Sequence, residues 1–188
     1  MEVLNRKIVQ YIDRNCTLEK SQKEIIIFGI QSALEIGLNL LMSVIVICKM
    51  DMIKEGIFFF LVFIPLRMYS GGYHADTYIK CFFFSIVTLI VVIRGSVLIS
   101  IPNLQVVYLI IILCILMWRF GPVSVAERPV SKREYKLFYK RFKRILCAII
   151  LLAIGLERFE EGRLLNILFL CIVLVFSTLI WGKAKYHQ

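Results

Sequence analysis

Four long apolar runs, at 25–48, 82–101, 104–120 and 164–181, restrict this chain more than any other feature. Crossing the hydrocarbon core of a bilayer as a helix takes about 20 apolar residues, with a range of about 17–25. All four runs meet that length, although Gln31 and Glu35 interrupt the first and Arg94 the second. Two further runs, 56–66 and 145–156, are short. Flanking residues whose charged heads snorkel to the interface extend them, or they insert only in part. The expectation is an all-α, polytopic transmembrane bundle of about six spans; the alternative is four spans and two re-entrant segments. Composition agrees. The chain is 60% hydrophobic, against about 45–50% for soluble domains. Its supply of aromatic residues excludes a disordered chain.

The first apolar run starts only at Ile25, after a polar, basic stretch, so no signal peptide is expected. In that stretch Leu4, Ile8, Tyr11 and Ile12 share one helical face, with Arg6, Lys7, Asp13 and Arg14 largely off it. The pattern predicts an N-terminal amphipathic helix. It lies on the membrane surface, or it caps the bundle. One integral-membrane domain over 1–188 is expected: an interfacial segment 1–24, a transmembrane bundle 25–181 and a tail 182–188.

The net charge of +10 acquires a direction from this layout. With the N-terminus in the cytoplasm and six crossings, eighteen basic residues fall inside and four outside. The four are Lys49, Lys54, Arg158 and Arg163. Cytoplasmic loops carry an excess of Lys and Arg, so both termini and the loop between the second and third spans are expected on the cytoplasmic side.

That loop holds the chemistry. It contains Gly71, Gly72, His74, Asp76 and Thr77, and leads to Cys81. Paired glycines allow backbone shapes closed to other residues. His74 and Cys81 are seven residues apart, about 10.5 Å along a continuous helix, so contact requires a break between them. Asp76 and Thr77 are good N-cap residues. A third span starting there places Cys81 within about the first turn. The helix dipole and a nearby imidazolium both favour thiolate. Cys81 is then a candidate nucleophile and His74 its base or ion-pair partner; the alternative is a free cysteine beside an unrelated loop histidine. The six cysteines contain no CxxC, so neither a zinc site nor a disulfide framework is signalled, and no metal or cofactor is expected. Cys48, Cys81, Cys114 and Cys147 fall 33 apart, but the intervening blocks show no similarity that would make a repeat.

The pattern Arg67-x-Tyr69-x-Gly71-Gly72-Tyr73-His74-Ala75-x-Thr77-x-x-x-Cys81 resembles the signature of the accessory gene regulator B (AgrB) family. These are integral-membrane cysteine endopeptidases of Gram-positive quorum sensing. The segment Gly121-Pro122-Val123…Glu127-Arg128-Pro129-Val130 is also similar to a proline-containing loop of that family. The resemblance implies a two-stage acyl transfer on a small AgrD-like precursor. The enzyme's cysteine removes a charged C-terminal tail and holds the remainder as a thioester. A cysteine or serine of the peptide then closes a thiolactone or lactone ring. Cys81 would be the nucleophile and His74 the general base, then acid. Arg67 would bind precursor carboxylates or stabilise the oxyanion, or simply snorkel. Gly71 and Gly72 would aim N–H groups at the oxyanion or only shape the loop. Asp76 would orient His74 or cap the helix. A homodimer is implied by the family alone.

Two features lie outside the motif. Glu35 and Arg94 are about 10 and 12 residues into their spans, roughly 15 and 18 Å deep, so an ion pair between the first and third spans is expected. The basic and aromatic stretch 132–144 suits anionic lipid headgroups. In the sharper reading, Lys132, Arg133 and Lys136 dock the acidic tail of the precursor. No nucleic-acid partner is expected. Rival readings are a non-enzymatic peptide exporter or channel using Glu35 and Arg94, and a membrane scaffold.

Overall fold

In lipid no water satisfies backbone polar groups, so a spanning segment must bond its own N–H and C=O groups. The computed structural model describes residues 20–70, 78–122 and 132–186. Six helices fill these segments: α1 (Lys20–Met50), α2 (Ile53–Ser70), α3 (Tyr78–Leu98), α4 (Asn103–Phe120), α5 (Lys132–Arg158) and α6 (Gly162–Tyr186). No strand occurs among the described residues. The all-α expectation holds. The amphipathic pattern at 4–12 lies outside the described residues.

Among the described residues, four helices are long and apolar enough to cross a membrane, through Ala33–Met50, Ile79–Leu98, Asn103–Phe120 and Gly162–Ala184. They correspond to the four long runs. The two short runs belong to helices longer than their apolar parts. The 18 residues of α2 rise about 27 Å and the 27 residues of α5 about 40 Å. Lys54 and Glu55 sit at one end of α2 and Arg67 at the other, which is why its apolar run looked short. The basic stretch 132–144 is not a loop. It is the first half of α5, continuous with the apolar half.

The chain divides into two compact units, Met1–Ile45 and Val46–Gln188. The described part of the first is α1 up to Ile45, with Ile26, Ile30, Leu34, Ile36, Leu38 and Leu41 exposed, a surface suited to lipid.

In the second unit α6 is central and packs against α2, α3, α4 and α5. A helix apolar on all sides belongs inside, and Leu165, Ile167, Leu168, Cys171, Ile172 and Val175 are fully buried. Neighbouring helices offer it single stripes. In α4 the stripe is Val106, Ile110, Cys114 and Met117; in α5 it is Phe142, Leu146, Ile149 and Ala153. Both follow the i, i+3/i+4 spacing of one helical face. Lipid tails are as apolar as leucine, so these contacts hold by close packing rather than by escape from water. Gly56 shows how close: a Cβ there would lie 2.5 Å from Ile47 Cδ1.

Polar groups tie one end of this unit. Lys54 Nζ meets Glu161 Oε1 at 2.8 Å and Arg163 Nη1 meets Glu55 Oε1 at 3.0 Å. Asn166 Nδ2 donates to the carbonyls of Ser96 (3.0 Å) and Ile99 (3.3 Å). The Ser96 carbonyl is one of those the α3 terminus leaves without an intrahelical partner. The opposite end carries Cys81.

Candidate active site

α3 begins at Tyr78, so Cys81 lies in its first turn, exposed. The expected placement of this cysteine is borne out. Orphan N–H groups and the helix dipole both favour negative charge there. Ser85 Oγ donates to the Cys81 carbonyl at 2.9 Å, bracing the turn against the next one.

Arg67 approaches from the last turn of α2. Pro65 stands two residues before it, inside the helix, and has no N–H to bond back. In the final turn Ser70 Oγ donates to the Arg67 carbonyl at 3.3 Å. Arg67 Nη1 donates to Thr178 Oγ1 on α6 at 3.0 Å. Thr178 is buried, and its own hydroxyl donates to the Val175 carbonyl at 2.8 Å. Burial lowers the pKa of the Arg67 guanidinium below its ordinary value, and the Cys81 sulfur, when ionised, acts in the opposite direction. The Arg67–Thr178 bond ties the end of α2 to α6, far along the chain, while α3 follows α2 directly.

A rim of basic and aromatic side chains surrounds this end. Arg141 Nη1 donates to the Tyr69 hydroxyl at 3.3 Å and its guanidinium stands 5.8 Å from that ring's centroid. Phe138 packs on the same ring, with centroids 5.9 Å apart. Lys143 Nζ lies 4.6 Å from the Trp118 ring and 4.3 Å from the Tyr139 ring. Lys183 Nζ donates to the Phe120 carbonyl at 3.1 Å, satisfying a carbonyl at the end of α4.

Of the residues singled out by sequence, Arg67 lies in the last turn of α2 and Cys81 in the first turn of α3, the helix that follows it. Gly71, Gly72, His74 and Asp76 lie outside the described residues. Lys132, Arg133 and Lys136 fall at the start of α5, with Lys136 exposed. Glu35 belongs to the first unit, on α1, and Arg94 to the second, exposed on α3. Sequence reasoning missed Thr178. A threonine within an apolar run gives no sign of a partner 111 residues away. The one signal available was that a hydroxyl inside a span needs an acceptor or donor nearby.

The family model for accessory gene regulator B matches residues 5–184. No curated protein and no solved structure matches the chain.

Proposed function

Because this chain belongs to the accessory gene regulator B family, whose members process the peptide signal of agr quorum sensing with an AgrD precursor as partner, we propose that it is a membrane cysteine endopeptidase and cyclase. The observation that carries the reading is Cys81, exposed in the first turn of α3, with Arg67 in the last turn of the preceding helix. A thiolate is the nucleophilic form of cysteine, and the start of a helix is a place that suits negative charge.

In this mechanism His74 takes the Cys81 proton, and the sulfur attacks the scissile carbonyl of an AgrD-like precursor. Charge moves to the carbonyl oxygen, where a cation such as Arg67 stabilises it. His74 returns the proton to the leaving amine. The C–N bond breaks, the tail departs, and the N-terminal part stays on Cys81 as a thioester. A thiol or hydroxyl of the bound peptide then attacks that thioester. The ring closes and Cys81 leaves as thiolate. The ring retains the thioester's energy when the closing group is a thiol, so departure of the tail helps drive the sequence forward. Gly71 and Gly72 offer N–H groups to the oxyanion, and Asp76 orients His74.

The Cys81 end faces the cytoplasm in this reading. The support is charge: Lys80, Arg119, Lys140, Arg141, Arg144 and Lys183 gather near that end, as the positive-inside rule requires. The start of α5, with Lys132, Arg133 and Lys136, receives the acidic tail of the precursor, and anionic headgroups border it.

The test is co-expression with an AgrD-like precursor, followed by mass spectrometry of the peptide. The wild type shortens it; Cys81→Ala and His74→Ala leave it whole. Cleavage that survives Cys81→Ala contradicts the proposal.

A further inference from the structure

Two contacts set levels along the second unit. Glu55 at the start of α2 meets Arg163 at the start of α6, and Arg67 at the end of α2 meets Thr178 further along α6. The two helices therefore run side by side in the same direction. Between Arg163 and Lys183 α6 carries no charged residue over about 30 Å, the thickness of a hydrocarbon core. On α2 the exposed apolar stripe Ile53, Ile57, Leu61, Ile64 and Met68 covers only about 22 Å. α5, which packs on α2, is bounded by exposed Arg144 and Arg158, about 21 Å apart, with exposed Leu151, Leu152 and Ile154 between them. The two short bands also stand level. Tyr69, next to Met68, meets Arg141, one turn from Arg144.

An apolar band shorter than the membrane has three remedies: charged side chains snorkel outward, copies associate, or the bilayer thins. Tilting only shortens the band further. Snorkelling needs side chains free to reach along the membrane normal, and several boundary cations are engaged across the bundle instead. Glu161 holds Lys54 at 2.8 Å, the Tyr69 hydroxyl holds Arg141 at 3.3 Å, and Lys143 lies against the Trp118 and Tyr139 rings.

We propose that the face formed by α2 and α5 thins the membrane beside it. Its partner is phospholipid. Headgroups are drawn inward to Tyr69, Arg141 and Arg144 at one end and to Lys54 and Arg158 at the other, about 21 Å apart instead of about 30 Å. This goes beyond the peptidase reading and does not depend on it; it requires only that α2 and α5 cross.

The experiment is depth-dependent fluorescence quenching of the full chain in vesicles of phosphatidylcholine and phosphatidylglycerol. Trp118→Phe and Trp181→Phe remove the two tryptophans, and one is returned as Ile53→Trp, Leu61→Trp or Met68→Trp, all at exposed positions of α2. Lipids brominated at successive chain positions report each depth, and the series is repeated in monounsaturated lipids of increasing chain length. Leu61→Trp is quenched best by bromines deep in the chains, as a crossing helix requires. Ile53→Trp and Met68→Trp are quenched best by the bromine nearest the headgroup, and remain so as the chains lengthen. In an uncompressed bilayer both would lie about 4 Å below the headgroups and sink by half of any thickness added. Such sinking overturns the proposal. So does an absence of quenching at both ends, which would mean that a second copy covers the face, and so does shallow quenching of Leu61→Trp, which would mean that α2 does not cross. Should Met68→Trp fail to insert, Ile64→Trp, one turn further in, is judged by the same criterion: a depth that does not change with chain length.

Discussion

A thiol reacts according to how much of it is thiolate and how open it is. Cys48, Cys81 and Cys147 are all exposed, but Cys81 alone among them stands in the first turn of a helix. With iodoacetamide at neutral pH, Cys81 in the full chain should be modified several-fold faster than Cys48 or Cys147; equal rates would remove the electrostatic basis for its role. Reading at this scale was uneven for physical reasons. His74, Cys81 and Arg67 stand within one short stretch, so their spacing alone raises them as a set. Thr178 is 111 residues from its partner, and an apolar run hides one hydroxyl. The contact exists only because α2 and α6 pack together, and no local pattern encodes that.

Helices that meet in lipid are selected for closeness. At Gly56 an added Cβ would lie 2.5–2.7 Å from three side-chain carbons of Ile47. Gly56→Ala should therefore destabilise the second unit by about 1–3 kcal/mol, seen as a lower thermal midpoint in detergent. An unchanged midpoint would mean that Ile47 gives way freely. At the same end, Glu55 is mostly buried against Arg163, which is largely exposed. Glu55→Gln weakens a charge-assisted bond while Arg163 recovers water, so a smaller cost of about 1 kcal/mol is expected. The boundaries of the four long apolar runs were legible because length and apolarity coincide there. Those of α2 and α5 were not, because apolar length was the criterion and charge interrupts both. In α5 the stripe Phe142, Leu146, Ile149 and Ala153 crosses the border between basic and apolar halves without a break. Helical period, rather than mean apolarity, was the signal that crossed it.

For the whole molecule, the net charge of +10 is an asymmetry between two ends. The Cys81 end has a basic and aromatic rim, whereas the other is tied by pairs in which each cation meets a carboxylate. If the basic end also receives an acidic tail, replacing Lys132, Arg133 and Lys136 with glutamine should weaken processing and flatten its salt dependence. Exposed charges are screened over about 8 Å at physiological ionic strength, so the wild type should lose activity as salt rises and the triple variant should respond less. An unaltered salt profile would assign these residues to lipid and topology alone. The fold class was legible at this scale from apolar length, and the family from one motif. The bond between α2 and α6 was not, since it depends on which helix becomes the centre of the bundle.

The central claim is that Cys81 carries the peptide as a thioester. Supplying a precursor whose ring-closing residue is replaced by alanine blocks the second stage and leaves the first intact. Mass spectrometry of the purified protein should then find Cys81 bearing the N-terminal part of that peptide, and hydroxylamine should remove it. A shortened precursor with no adduct on Cys81, or cleavage undiminished in Cys81→Ala, would contradict the account.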